Sequence, residues 1–68
     1  MTNQNNTLDV ANTLAQKLSD AAASHQRDAA DAIGKGEFDT AIGHLNKQRE
    51  ATGALIATLE AVKLLNGD

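Results

Sequence analysis

The sequence predicts an all-α fold, an antiparallel hairpin of two helices, and three observations point to it. Apolar residues recur at alternating steps of three and four along two long stretches, which is the spacing of a helix face. The chain contains no proline, and its strongest breaker cluster, Gly34-Lys35-Gly36, lies between the two stretches. A short connection makes two long helices pack antiparallel. Such a hairpin can assemble into a four-helix bundle or dock on a helical partner.

The first element is a polar segment. Residues 1–6 offer nothing to bury, so we expect a disordered tract there and a single helical-hairpin domain over residues 7–68. This start has neither the basic region nor the apolar stretch of a secretory signal. No apolar run is long enough to span a bilayer. The expected location is therefore the cytoplasm.

The first helix is expected from about Thr7 to Ile33, with Asn6 or Thr7 as its N-cap. A break within residues 23–26, giving three short helices, is the alternative, and the absence of a breaker there disfavours it. The residues predicted to share the inner face of this helix are Leu8, Ala11, Ala15, Leu18, Ala22, His25, Ala29 and Ala32.

The second helix is expected over Phe38 to Leu65, with Asn66-Gly67 as its stop. Gly43 and Gly53 lie inside it, and each should weaken it by roughly 1 kcal/mol relative to alanine. The residues predicted to form its inner face are Phe38, Ala41, Ile42, Leu45, Thr52, Leu55, Ile56, Leu59 and Val62.

Composition predicts a thin core and dependence on a partner. Phe38 is the only aromatic residue, and alanine supplies much of the apolar content. Domains of this size are marginal unless disulfides, metals or a partner chain help. The chain has no cysteine, which excludes disulfides and thiolate metal sites. We therefore expect a protein partner.

Charge and motifs exclude several classes of function. The net charge is −3, and the six Lys and Arg residues are scattered, which argues against nucleic-acid and membrane partners. No Cys-His pair, nucleophile elbow or phosphate loop is present, so we expect neither an enzyme nor a cofactor. His25 and His44 could meet across the hairpin beside Asp28, but this spacing is generic. We predict structural histidines and no metal site.

The most informative feature for function is a second apolar face. Apolar residues widen the inner face of both helices only near the open end of the hairpin, where they stay exposed after the helices pair. The predicted partner-binding residues are Val10, Leu14, Ala54, Ala57, Ala61, Leu64 and Leu65.

Roughly from Leu8 to Leu65, the chain has a long helix, a tight glycine-containing turn and a second helix that carries Leu45, Gln48, Ala51, Ile56 and Leu59. In this arrangement it resembles the small co-chaperones of the type III secretion needle subunit. The resemblance implies a hairpin that pairs with a tetratricopeptide-like chaperone. The heterodimer would keep the needle subunit unpolymerised in the bacterial cytoplasm before export.

The alternative is a self-associating structural or regulatory protein. Two hairpins would form a four-helix bundle as a homodimer when no other partner is present. A version that acts on RNA is disfavoured by the lack of a basic stripe.

Overall fold

The chain folds as a hairpin of two long helices in a computed structural model that describes residues 3–67. Helix α1 spans Asn3–Gly34 and helix α2 spans Phe38–Leu65. They pack against each other in a molecule of 54 × 16 × 12 Å, and the described residues contain no strand. The predicted all-α hairpin is confirmed. Helix α1 runs without a break through residues 23–26, so the three-helix alternative is wrong.

Helix α1 begins earlier than predicted. It starts at Asn3, so that Asn6 and Thr7 lie inside the helix and neither is its N-cap. The polar residues before Thr7 include no glycine or proline, and once a helix is nucleated each further residue adds a backbone hydrogen bond. Disorder of residues 1–6 in solution stays a prediction, because helix ends fray and residues 1 and 2 lie outside the described range.

Glycine closes α1 in the predicted place. Gly36 has φ of +74°, a left-handed conformation that glycine adopts without steric cost. The Glu37 amide donates to the Ala32 carbonyl at 2.8 Å and the Gly36 amide donates to the Ile33 carbonyl at 3.0 Å. This pair of bonds is the Schellman motif. It satisfies two carbonyls that the helix end would leave unbonded and reverses the chain within residues 35–37.

Helix α2 has a weakly capped start and a well-formed end. Glu37 occupies the N-cap position without a side-chain hydrogen bond, while Asp39 in the first turn suits the positive end of the helix dipole. At the other end the Asn66 amide donates to the Val62 carbonyl and Gly67 has φ of +82°. The predicted stop at Asn66-Gly67 is confirmed.

The core is made of alanine. Among the residues whose side chains are described, those classed as buried are Ala15, Ala29, Ala32 and Ala41. Small side chains let two helix backbones approach closely but bury little apolar area. The chain exposes 4949 Å², whereas a compact globular protein of 7.1 kDa exposes about 4,100 Å². The hairpin therefore leaves more surface in water than a globular domain of its mass.

The inner face of α1 agrees with the prediction. All eight of its predicted residues are buried or half-buried, whereas most of their neighbours on the helix are exposed. Their three-and-four spacing is that of a coiled-coil seam.

The inner face of α2 differs from the prediction. The residues of α2 that are buried or half-buried again follow the three-and-four spacing, and we call them the contact stripe: Ala41, His44, Gln48, Ala51, Leu55, Thr58, Val62 and Leu65. Only Ala41, Leu55 and Val62 belong to the predicted set. The other six predicted residues, all exposed, are Phe38, Ile42, Leu45, Thr52, Ile56 and Leu59. Most of them follow a contact-stripe residue by one position, a step of about 100° around the helix, so the predicted face combined two neighbouring stripes of which only one meets α1.

Candidate functional site

The structure exposes a row of large apolar side chains along α2, which we call the outer stripe. Its members are Phe38, Ile42, Leu45, Ile56 and Leu59. Phe38 is 64% exposed and Ile42 is 56% exposed. Ile33, next to the turn on α1, is also exposed. Arg49 and Thr52 interrupt the row at mid-helix, where Arg49 donates a hydrogen bond to Asn46 at 2.9 Å.

Sequence reasoning missed the outer stripe as a binding surface because it assigned these residues to the contact between the helices. The signal that could have found it is that α2 carries two stripes at the same spacing, one position apart. Only one stripe of a helix can face a single neighbouring helix. The other must remain in water or meet a different protein surface.

The surface predicted from the sequence lies on the opposite flank of the hairpin. We call it the open-end surface, and it comprises Val10, Leu14, Ala54, Ala57, Ala61, Leu64 and Leu65. Val10 is 68% exposed and Leu64 is 77% exposed, while Leu65 is half-buried in the contact stripe. Every α2 member except Leu65 precedes a contact-stripe residue by one position, which places it on the flank opposite the outer stripe.

The structure brings part of the open-end surface together. An open groove of about 500 Å³ runs between the two helices, and its lining residues are Thr7, Val10, Ala11, Leu14, Thr58, Ala61 and Leu65. Four predicted partner-binding residues therefore share one concave surface: Val10, Leu14, Ala61 and Leu65. Ala54, Ala57 and Leu64 are exposed but do not line this groove.

The two apolar surfaces meet on the last three turns of α2. Residues 54–65 contain only three polar side chains, those of Thr58, Glu60 and Lys63. Thr58 turns its hydroxyl back to the Ala54 carbonyl at 2.8 Å, which satisfies the hydroxyl within the helix. This half of α2 is thus apolar on nearly every side, although α1 covers only one of them.

A polar cluster interrupts the helix contact nearer the turn. His25 of α1 and His44 of α2 stack with ring centroids 6.0 Å apart and planes inclined at 29°. Candidate metal-ligating atoms of His25, Asp28 and His44 all lie within 4.8 Å of one another. The two histidines are half-buried and Asp28 is exposed. The predicted approach of these three residues is confirmed.

No protein-family model, curated protein or solved structure matches the chain. The resemblance to secretion co-chaperones therefore gains no support from relatives. Within the described residues, neither helix is long and apolar enough to cross a membrane.

Proposed function

We propose that the chain is a non-catalytic interaction module that binds a larger helical protein through exposed apolar surface on α2. The observation that carries this proposal is that residues 54–65 are apolar on nearly every side, Glu60 and Lys63 excepted. A helix segment that is apolar on most of its sides is normally covered by protein on more than one of them. The hairpin alone covers one side, so a partner is needed to cover the rest.

The more specific form of this proposal is a cytoplasmic co-chaperone. The chain would pair with a tetratricopeptide-like chaperone, stabilise it and help keep a type III secretion needle subunit unpolymerised. An acidic helical hairpin with a thin alanine core and uncovered apolar surface suits a subunit that is stable only in a complex. The resemblance to that class of co-chaperones supplies the identity of the partner.

A self-associating four-helix bundle is the second candidate, and the outer stripe favours it. The members of the stripe near the turn, Phe38, Ile42 and Leu45, add a second exposed apolar patch at the other end of α2. Two hairpins that meet along this stripe would bury it on both copies. The co-chaperone would therefore bind its partner through the open-end surface, whereas the homodimer would form through the outer stripe.

Charge-introducing substitutions on one flank of α2 test the proposal. Ala61 is exposed and lines the groove of the open-end surface, so Ala61→Glu should leave the hairpin folded. On binding it would bury an unpaired charge, which costs several kcal/mol. We expect Ala61→Glu to abolish co-purification with a candidate tetratricopeptide-like chaperone and to leave the circular dichroism spectrum of the helices unchanged.

Lys47→Glu is the matched control. Lys47 is exposed and lies on the same flank of α2, two heptads and roughly 21 Å before Ala61. The Lys47 change should leave binding intact. If binding survives Ala61→Glu but fails with Lys47→Glu, the interface lies near the turn and the open-end assignment is wrong. A homodimer that Ile56→Glu dissociates, with no binding to the chaperone, would favour the four-helix bundle instead.

A further inference from the structure

The cluster of His25, Asp28 and His44 has the composition of a transition-metal site. Two imidazoles and a carboxylate are ligands that zinc accepts, and in this chain they come from both helices. His25 and Asp28 are three residues apart on α1, a spacing that puts both side chains on neighbouring positions of one helix surface. His44 reaches the same place from α2.

A second, independent observation points to a ligand at this place. The Nδ1 atoms of His25 and His44 are both buried, and neither has a hydrogen-bond partner. A buried polar atom without a partner costs roughly 1–3 kcal/mol. A metal ion ligated by both Nδ1 atoms would satisfy both nitrogens at once.

The separations suit a site that closes on the ion. Two ligand atoms on one tetrahedral zinc ion lie roughly 3.4 Å apart, given zinc–nitrogen distances near 2.0–2.1 Å. The candidate atoms here lie within 4.8 Å of one another, so a contraction of at most about 1.4 Å is needed. Side-chain rotation alone can supply it, because Asp28 is exposed and the two imidazoles are only half-buried.

We propose that His25, Asp28 and His44 bind one divalent transition-metal ion of the zinc class, which joins α1 to α2. Imidazole and carboxylate ligands favour zinc, copper and nickel over calcium or magnesium. Water completes the coordination. The ion links the helices where the contact stripe is polar, and small domains with thin cores commonly gain stability in this way. This inference does not depend on the proposed partner.

Zinc titration of the full chain, stripped of metal by a chelator, tests the site. We expect isothermal titration calorimetry with zinc chloride to give one ion per chain. We also expect the thermal midpoint to rise with zinc, because an ion that binds only the folded state at 100 times its dissociation constant raises the folding equilibrium constant about 100-fold. Magnesium chloride should give no rise. In NMR spectra the imidazole nitrogens of both histidines should shift on zinc addition.

Three variants separate ligation from structural effects. His44→Gln should abolish the midpoint rise, and Asp28→Asn, an exposed change that the fold tolerates, should weaken zinc binding at least about tenfold. Asp20→Asn changes an exposed carboxylate of the same helix outside the cluster and should bind zinc as the parent does. The proposal is overturned if zinc raises the midpoint no more than magnesium does, or if the Asp28 and Asp20 variants bind zinc equally.

Discussion

Alanine decides how the two helices of this hairpin meet. Ala29 is fully buried, and Ala15, Ala32 and Ala41 are nearly so. A methyl group buries little area, so each of these positions contributes little hydrophobic free energy. What the alanines supply is room for the backbones to come together. The large residues of the outer stripe lie on a flank of α2, where they remain available for another surface.

The glycines inside α2 test how much helix propensity contributes to the stability of the hairpin. Gly53 lies inside α2, and a Cβ added there would meet no atom within 4 Å. Gly53→Ala should therefore stabilise the hairpin by about 1 kcal/mol, because alanine loses less backbone entropy in a helix. Urea unfolding followed by circular dichroism measures the change, and Gly43→Ala should act in the same way.

Gly36→Ala is the contrasting change at the turn. A Cβ would also meet nothing there, but φ of +74° is unfavourable for alanine. We expect destabilisation of roughly 1 kcal/mol or more. If both glycine changes move stability in the same direction, the backbone conformation assigned to one of them is wrong.

At the scale of the element, the rotation of α2 decides which residues are free to bind. Leu55 and Ile56 are neighbours in the sequence, yet Leu55 belongs to the contact stripe and Ile56 is 53% exposed in the outer stripe. A helix can turn about its axis by one position without a change in its ends or its length. The burial of these two side chains is therefore the evidence for this rotation.

Alanine replacement of this pair tests the rotation. Leu55→Ala should destabilise the isolated hairpin by about 2 kcal/mol, since it removes a half-buried leucine from the helix contact. Ile56→Ala should change stability by no more than about 0.5 kcal/mol, as is usual for surface positions. Both are read from urea unfolding. A larger loss for Ile56→Ala would mean that the outer stripe faces α1 and that the rotation is wrong.

The helix ends and the inner face of α1 could be predicted from the sequence, whereas the rotation of α2 about its axis could not. The turn and the end of α2 followed from Gly36 and Asn66-Gly67, because a left-handed cap leaves few other choices. The inner face of α1 followed from a single clear stripe. The rotation of α2 did not, because α2 carries two stripes of equal spacing one position apart and the predicted face combined residues of both, such as Ala41 and Ile42.

The candidate sites were predictable to different extents. The open-end surface followed from apolar residues outside the helix contact, and Val10 and Leu14 do lie in a groove with Ala61. The outer stripe did not, because it depends on the rotation of α2. For His25 and His44 the sequence suggested that they meet, but the two unpartnered Nδ1 atoms required coordinates.

At the scale of the whole molecule, the hairpin combines a thin core with a large apolar surface. Its exposed area exceeds that of a compact domain of equal mass, and its buried side chains are methyl groups. Its described ion pair, Asp31 with Lys35 at 3.3 Å, is exposed and adds little. Little in the isolated chain offsets the conformational entropy lost on folding. A bound protein that covers the apolar flanks would supply the missing burial.

The need of the hairpin for a partner is tested most directly by thermal unfolding of the isolated chain. The measurement is made without added metal and over a roughly hundredfold range of protein concentration. We expect a low midpoint, with a free energy of unfolding below the roughly 5 kcal/mol typical of independent domains. A midpoint that rises with concentration would assign the apolar surface to a second copy of the chain. A concentration-independent midpoint above about 65 °C, the upper end for ordinary domains, would contradict the claim that the hairpin needs a partner.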